Sequence, residues 1–147
     1  MSFVSASIGS VELIGLKRGD LVPLKIIEVS KEKFISNALI IGIGGFKRVV
    51  IGYFSEDRGY ETIELRAVER SAIEVVSLIG SIIRRGDNDY SAHIHVALGM
   101  KTEDNKYSSY AGHLIEGEVY PLMEIFLIRL SNIDHSTLRS VWPHRFR

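Results

Sequence analysis

Apolar residues recur at helical spacing in one substantial stretch. Asp20 is a good N-cap and Pro23 is tolerated in a first turn; Leu21, Leu24, Ile27 and Phe34 then predict a helix through about Lys33. Everything after it leans to strand. Ala38–Ile43 is β-branched and apolar, Gly44-Gly45 reads as a bend, and Arg48–Phe54 begins another strand. Tyr60–Arg66 alternates, with Tyr60, Thr62, Glu64 and Arg66 on one side and Ile63 and Leu65 on the other. Ile73–Ile83 is long and nearly uncharged, which predicts a strand covered on both faces. Strands are also expected over Ser91–Gly99, Tyr107–Leu114 and Glu118–Leu130, the first two joined by the turn-rich stretch Thr102–Lys106. Tight connections between sequential strands favour an α+β domain, a mostly antiparallel β-sheet core with one main helix.

The size of the chain, 147 residues, fits one domain, expected over residues 1–130, followed by a basic tail over 131–147. The 18 Lys and Arg balance 18 Asp and Glu, which argues against a wholesale electrostatic grip on nucleic acid. Cysteine is absent. That excludes thiolate catalysis, disulfides, Cys-ligated zinc and iron–sulfur clusters, and it fits a reducing compartment. The first sixteen residues lack the charged-then-apolar layout of a secretory signal, and no apolar run nears the ~20 residues needed to span a bilayer. A cytoplasmic protein with no membrane contact is therefore expected. The tail carries Arg139, Arg145, Arg147, His135 and His144 against the single acid Asp134. It is expected to lie on the surface or to dock on a neighbouring subunit through Trp142 and Phe146; the sharper alternative is a phosphate-contacting arm.

The most informative residues are His93, His95 and His113. Side chains two apart on a strand share a face, so His93 and His95 point the same way. A hairpin turn centred on Asp104 places His113 opposite His95, where β-carbons stand about 4.5–5.5 Å apart. Three imidazoles so placed can converge on one cation and leave a coordination position open. The plainer alternative is a pair of hydrogen-bonded, half-exposed histidines. Ala92, Ile94, Val96 and Leu98 fill the other face, while Ala97, Gly99, Ala111 and Gly112 leave room around the rings. Nitrogen ligands without thiolates suit zinc, copper, nickel or iron.

In order, Gly42-Ile-Gly-Gly-Phe46, Val50-Ile-Gly-Tyr-Phe54, Glu74-Val-Val-Ser-Leu-Ile-Gly80, His93-Ile-His-Val-Ala-Leu98 and Ala111-Gly-His-Leu-Ile-Glu-Gly117 resemble the PPC domain, conserved in plants and prokaryotes. The resemblance runs from about Ile14 to Leu130. It implies an α+β fold assembled as a homotrimer, and a divalent metal, zinc first, on the histidines that match His93, His95 and His113. Plant members accompany AT-hook DNA-binding segments, but no Arg-Gly-Arg-Pro hook occurs here, and the plant Gly-Arg-Phe-Glu-type stretch is replaced by Ser71-Ala72-Ile73-Glu74. Stand-alone prokaryotic members have largely unassigned roles. The reading is thus a homotrimer that binds or transforms a small ligand at a three-histidine metal site. The alternative is a DNA-associated or protein-interaction module without the hook.

Other chemistry is weakly supported. Gly42-x-Gly44 would need a third glycine where Lys47 stands, and a helix where a strand is expected, so a dinucleotide fingerprint fails. No nucleophile elbow or Walker pattern occurs, and Ser77, Ser81 and Ser91 have no evident activating partner. Glu116 is a candidate proton shuttle beside the metal, although an exposed loop carboxylate is its plainer role.

Overall fold

A computed structural model describes residues 3–146; Arg147 and the side chain of Phe146 lie outside the described part. The chain forms β1 (Ser7–Lys17), β2 (Leu21–Val22), α1 (Leu24–Glu32), β3 (Asn37–Ser55), β4 (Gly59–Arg66), β5 (Ile73–Gly86), β6 (Asp89–Lys101), β7 (Tyr107–Ser131) and α2 (His135–Val141), ending in a 3-10 turn at Pro143–Phe146. All strand pairs are antiparallel, in the order β1-β7-β6-β5-β3-β4, with β2 on β7 and a further β7–β3 pairing. That last pairing makes β3, β5, β6 and β7 a closed cycle of hydrogen-bonded neighbours. Two short helices accompany the strands, where the sequence predicts one. Among the described residues no helix is long and apolar enough to cross a membrane.

Two elements expected as pairs are single bent strands. The expected strands on either side of Gly44-Gly45 are one β3, and Tyr107–Leu114 and Glu118–Leu130 are one β7. The β3 bend falls at Gly44, whose φ of +146° few side-chain-bearing residues adopt and whose β-carbon would come within 2.6 Å of the Leu122 carbonyl oxygen. Register shifts at Gly42/Gly44 against β5 and at Gly44/Phe46 against β7 let one strand change direction without leaving either neighbour.

The helix starts later than the sequence suggests. Asp20 caps a turn instead, accepting a 2.8 Å bond from the Lys17 N–H, and α1 begins after Pro23 without a side-chain cap. Its buried residues are Ile26 and Ser30, whereas Leu24 and Phe34 are exposed, because Phe34 has already left the helix with φ +52°. Ile26 joins a core with Leu16, Val22, Ile40, Phe46, Leu78, Ile94, Val96 and Ile125. Each such side chain contributes roughly 1.5–3 kcal/mol on burial. The alternation expected for Tyr60–Arg66 is borne out, with Ile63 and Leu65 half-buried and Tyr60, Thr62, Glu64 and Arg66 exposed.

The strand over Ile73–Ile83 is not covered on both faces. Ile73, Val75, Leu78 and Ile82 are buried, but Val76 and Ile79 are 69% and 60% exposed. Directly paired positions trace one outer row, Leu13–Phe126–Ile41–Ile79–His95–His113, across β1, β7, β3, β5, β6 and the first half of β7. Leu13, Phe126, Ile41 and Ile79 are all exposed.

Gly44→Ala is expected to destabilise the chain by ~1–3 kcal/mol through overpacking and backbone strain. A urea midpoint equal to that of the unaltered protein would show that the β3 bend does not depend on glycine.

Candidate metal centre

The β6–β7 register pairs His95 with His113, as the hairpin turn predicts. His93 lies two residues earlier on the same outer face of β6, opposite Ser81 of β5. Beneath them Ile94, Val96 and Leu98 point into the core, so the imidazoles stand on a packed floor. Gly52 is the β3 partner of His113 and of Thr62. A β-carbon there would meet the Tyr60 ring at 2.9 Å, and its absence lets Tyr60 lie with its centroid 5.1 Å from that of His113.

The three rings converge. Their centroids are 5.0–5.4 Å apart, and one ring nitrogen from each lies within 4.8 Å of the other two. The Nε2 atoms of His93 and His95 are 3.2 Å apart. Without a cation that separation is a hydrogen bond between the rings. Two nitrogens bound at ~2.0–2.1 Å to a tetrahedral ion stand about 3.3 Å apart, so the pair needs almost no movement to become ligands. His113 adds a buried Nδ1 with no hydrogen-bond partner, a nitrogen whose lone pair or proton is left over by the protein itself. The donor set therefore fits a borderline transition metal such as zinc.

Burial, first, holds His93 and His113 below the ordinary histidine pKa, and positive neighbours add to it: His113, Arg145, His95 and His144 for His93, and His95 for His113. Neutral imidazole is the form that binds metal. No carboxylate belongs to the cluster among the described residues. Glu116, the candidate proton shuttle, is held elsewhere, its Oε1 2.6 Å from an Arg48 guanidinium that also binds Glu64.

The C-terminal segment is folded onto its own sheet. Asp134 caps α2 by accepting a 2.7 Å bond from the Thr137 N–H; Leu138 is buried, and Arg145 is only 7% exposed. The Arg145 guanidinium donates to Ser81 Oγ at 2.6 Å and to the Ser91 carbonyl at 2.5 Å, tying the segment across β5 and β6. Burial, with the nearby Arg85 charge, lowers its pKa to about 10. Trp142 thereby joins Leu39, Ile79, Gly80, Ser81, His93 and His95 around a shallow pocket of about 390 Å³. Tyr60, Ser81, Trp142 and Arg145 escape the sequence reading of the site. Asp134 followed by Ser136, Thr137 and Leu138 is the helix signal that could have placed the last two.

Residues 4–131 match the family model of the Plants and Prokaryotes Conserved (PCC) domain, and the chain belongs to that family, also written PPC. Among solved structures, a plant- and prokaryote-conserved protein from Pyrococcus horikoshii is 33% identical, with a TM-score of 0.76 over 91% of this chain and 87% of that one. A metal-containing protein from Archaeoglobus fulgidus is 32% identical, with a TM-score of 0.75 over 89% and 86%. A candidate DNA-binding protein from Bacteroides thetaiotaomicron, 21% identical with a TM-score of 0.71 over 86% and 85%, shares the fold. No curated protein matches the chain.

Bonds from the Thr137 N–H and then the Ser136 hydroxyl lower the Asp134 pKa to about 2. Because the folded value lies below the ordinary one, the cap contributes fully above about pH 4 and is lost as pH falls towards 2. Trp142 emission, which reports the docking of this segment, is expected to change between pH 4 and 2. Asp134→Asn, an uncharged cap, is expected to abolish that acid step, and its persistence in the variant would assign the step elsewhere.

Proposed function

We propose that this chain is a homotrimeric, cytoplasmic PCC-domain protein whose His93, His95 and His113 hold one divalent metal, zinc first, with a coordination position open to a small ligand. The convergence of the three imidazoles carries the reading. The unpartnered Nδ1 of His113 and the lowered histidine pKa values support it. The metal-containing Archaeoglobus relative supports it from outside. A bound zinc would supply Lewis acidity and an acidified water; this chain contributes three imidazole nitrogens, a dry floor and the Tyr60 ring beside His113.

The homotrimer is supported by the bare outer row. Adjacent exposed Leu13, Phe126, Ile41 and Ile79 make an apolar strip of the kind that marks an association surface, and the strip runs directly into His95. Each metal site would then lie beside a subunit contact. The phosphate-arm alternative loses one of its cations, since Arg145 is buried against Ser81 and Ser91.

Protein purified without a metal-affinity tag is expected to carry close to one equivalent of zinc or a related metal by elemental analysis. His93→Ala should bind at least tenfold more weakly, as expected when one of three ligands is lost. Less than a tenth of an equivalent, with the same uptake in the variant, would end the metal reading. Light scattering is expected to give three times the 16.5 kDa chain mass. Ile41→Asp should shift the protein towards single chains, and a stable single-chain mass for the unaltered protein would overturn the assembly.

A further inference from the structure

The histidine pocket has one-sided chemistry. Leu39, Ile79 and Trp142 form apolar walls, and no acidic side chain lines it among the described residues. Ser81 stands opposite His93 on the neighbouring strand, and its hydroxyl oxygen already accepts the 2.6 Å bond from Arg145. An oxygen so engaged is a poor nucleophile and a good donor, because a cation on its lone pair polarises the O–H. Arg145 has no carboxylate partner among the described residues; its guanidinium is held by Ser81 and Ser91 and lies 5.8 Å from the centroid of the Trp142 ring.

We propose that this pocket binds a small organic carboxylate, its anionic end taking the hydroxyl proton of Ser81 in a hydrogen bond and its apolar body lying against Leu39, Ile79 and Trp142. Arg145 acts as a positioning residue, orienting and polarising Ser81 from behind. A metal on the three histidines gives the anion a second anchor, and to that extent the inference rests on the metal reading. Leu39 and Ile79 also border the bare apolar face, so the ligand lies at the margin where a second copy seats.

Trp142 is the only tryptophan in the chain, which makes its emission a reporter of this pocket. The test titrates the full-length protein, in its native assembly and with its metal content measured, with isovalerate and with the neutral amide of the same shape. The carboxylate is expected to change Trp142 emission saturably at a concentration about tenfold or more below that of the amide, as a hydrogen bond to a charged group implies. Ser81→Ala and Arg145→Gln should bring the two ligands within about threefold, and Arg145→Lys, which keeps the charge, should retain part of the preference. Equal response to acid and amide, or an unchanged preference in Ser81→Ala, overturns the proposal. A metal-loaded sample without preference refutes the carboxylate site and leaves the metal reading standing. A sample that is purified metal-free, takes up no more metal than His93→Ala and keeps the preference refutes the metal reading and leaves this one standing.

Discussion

The pairing of β3 with β7 over most of their shared length is the constraint on which the rest of the structure depends. A strand that pairs with one partner can stay nearly straight. β3 also pairs with β5 and β4, and β7 also pairs with β1, β2 and β6, so both must bend to satisfy backbone groups on two sides. Gly44 and the register shifts absorb that bending. The reward is a closed cycle with a dry interior and an outside on which directly opposed residues fall into continuous rows.

Those rows explain why the three-histidine cluster and the apolar surface occur together. Strand parity sends Ile94, Val96 and Leu98 inward and His93 and His95 outward, and the same parity sends Ile41 and Ile79 outward beside them. A site on this face gains dry neighbours without being buried. It is walled on the other side by the C-terminal segment, through Trp142 and the buried Arg145. The imidazoles therefore sit between two apolar surfaces, and Arg145 is a positive neighbour of His93.

How much of this is legible in the sequence depends on how far apart the partners lie. The His95–His113 pairing is legible because strand parity and a short turn are both local. The helix start is misplaced because an aspartate three residues before a proline also suits a turn, and Asp20 uses its carboxylate on Lys17. β1 has no counterpart in the expected elements, since Ile8, Val11 and Leu13 carry no buried alternation to announce it. Arg145 reads as one more basic residue of a tail because Ser81 and Ser91 lie far away in sequence. The apolar outer face of β5 is legible as apolar, but not as bare in the single chain.

Among the described residues β1 finds its only strand partner in the second half of β7, where Ser7 pairs with Ser131 and Leu13 with Phe126. Two segments far apart in sequence must therefore meet before β1 gains its sheet hydrogen bonds. Closing so long a loop costs little more free energy than closing one half its length, but non-local pairing of this kind slows folding. Until they meet, Ile8, Val11 and Leu13 form an unpaired apolar segment, and any strand edge, from this chain or another, competes for it.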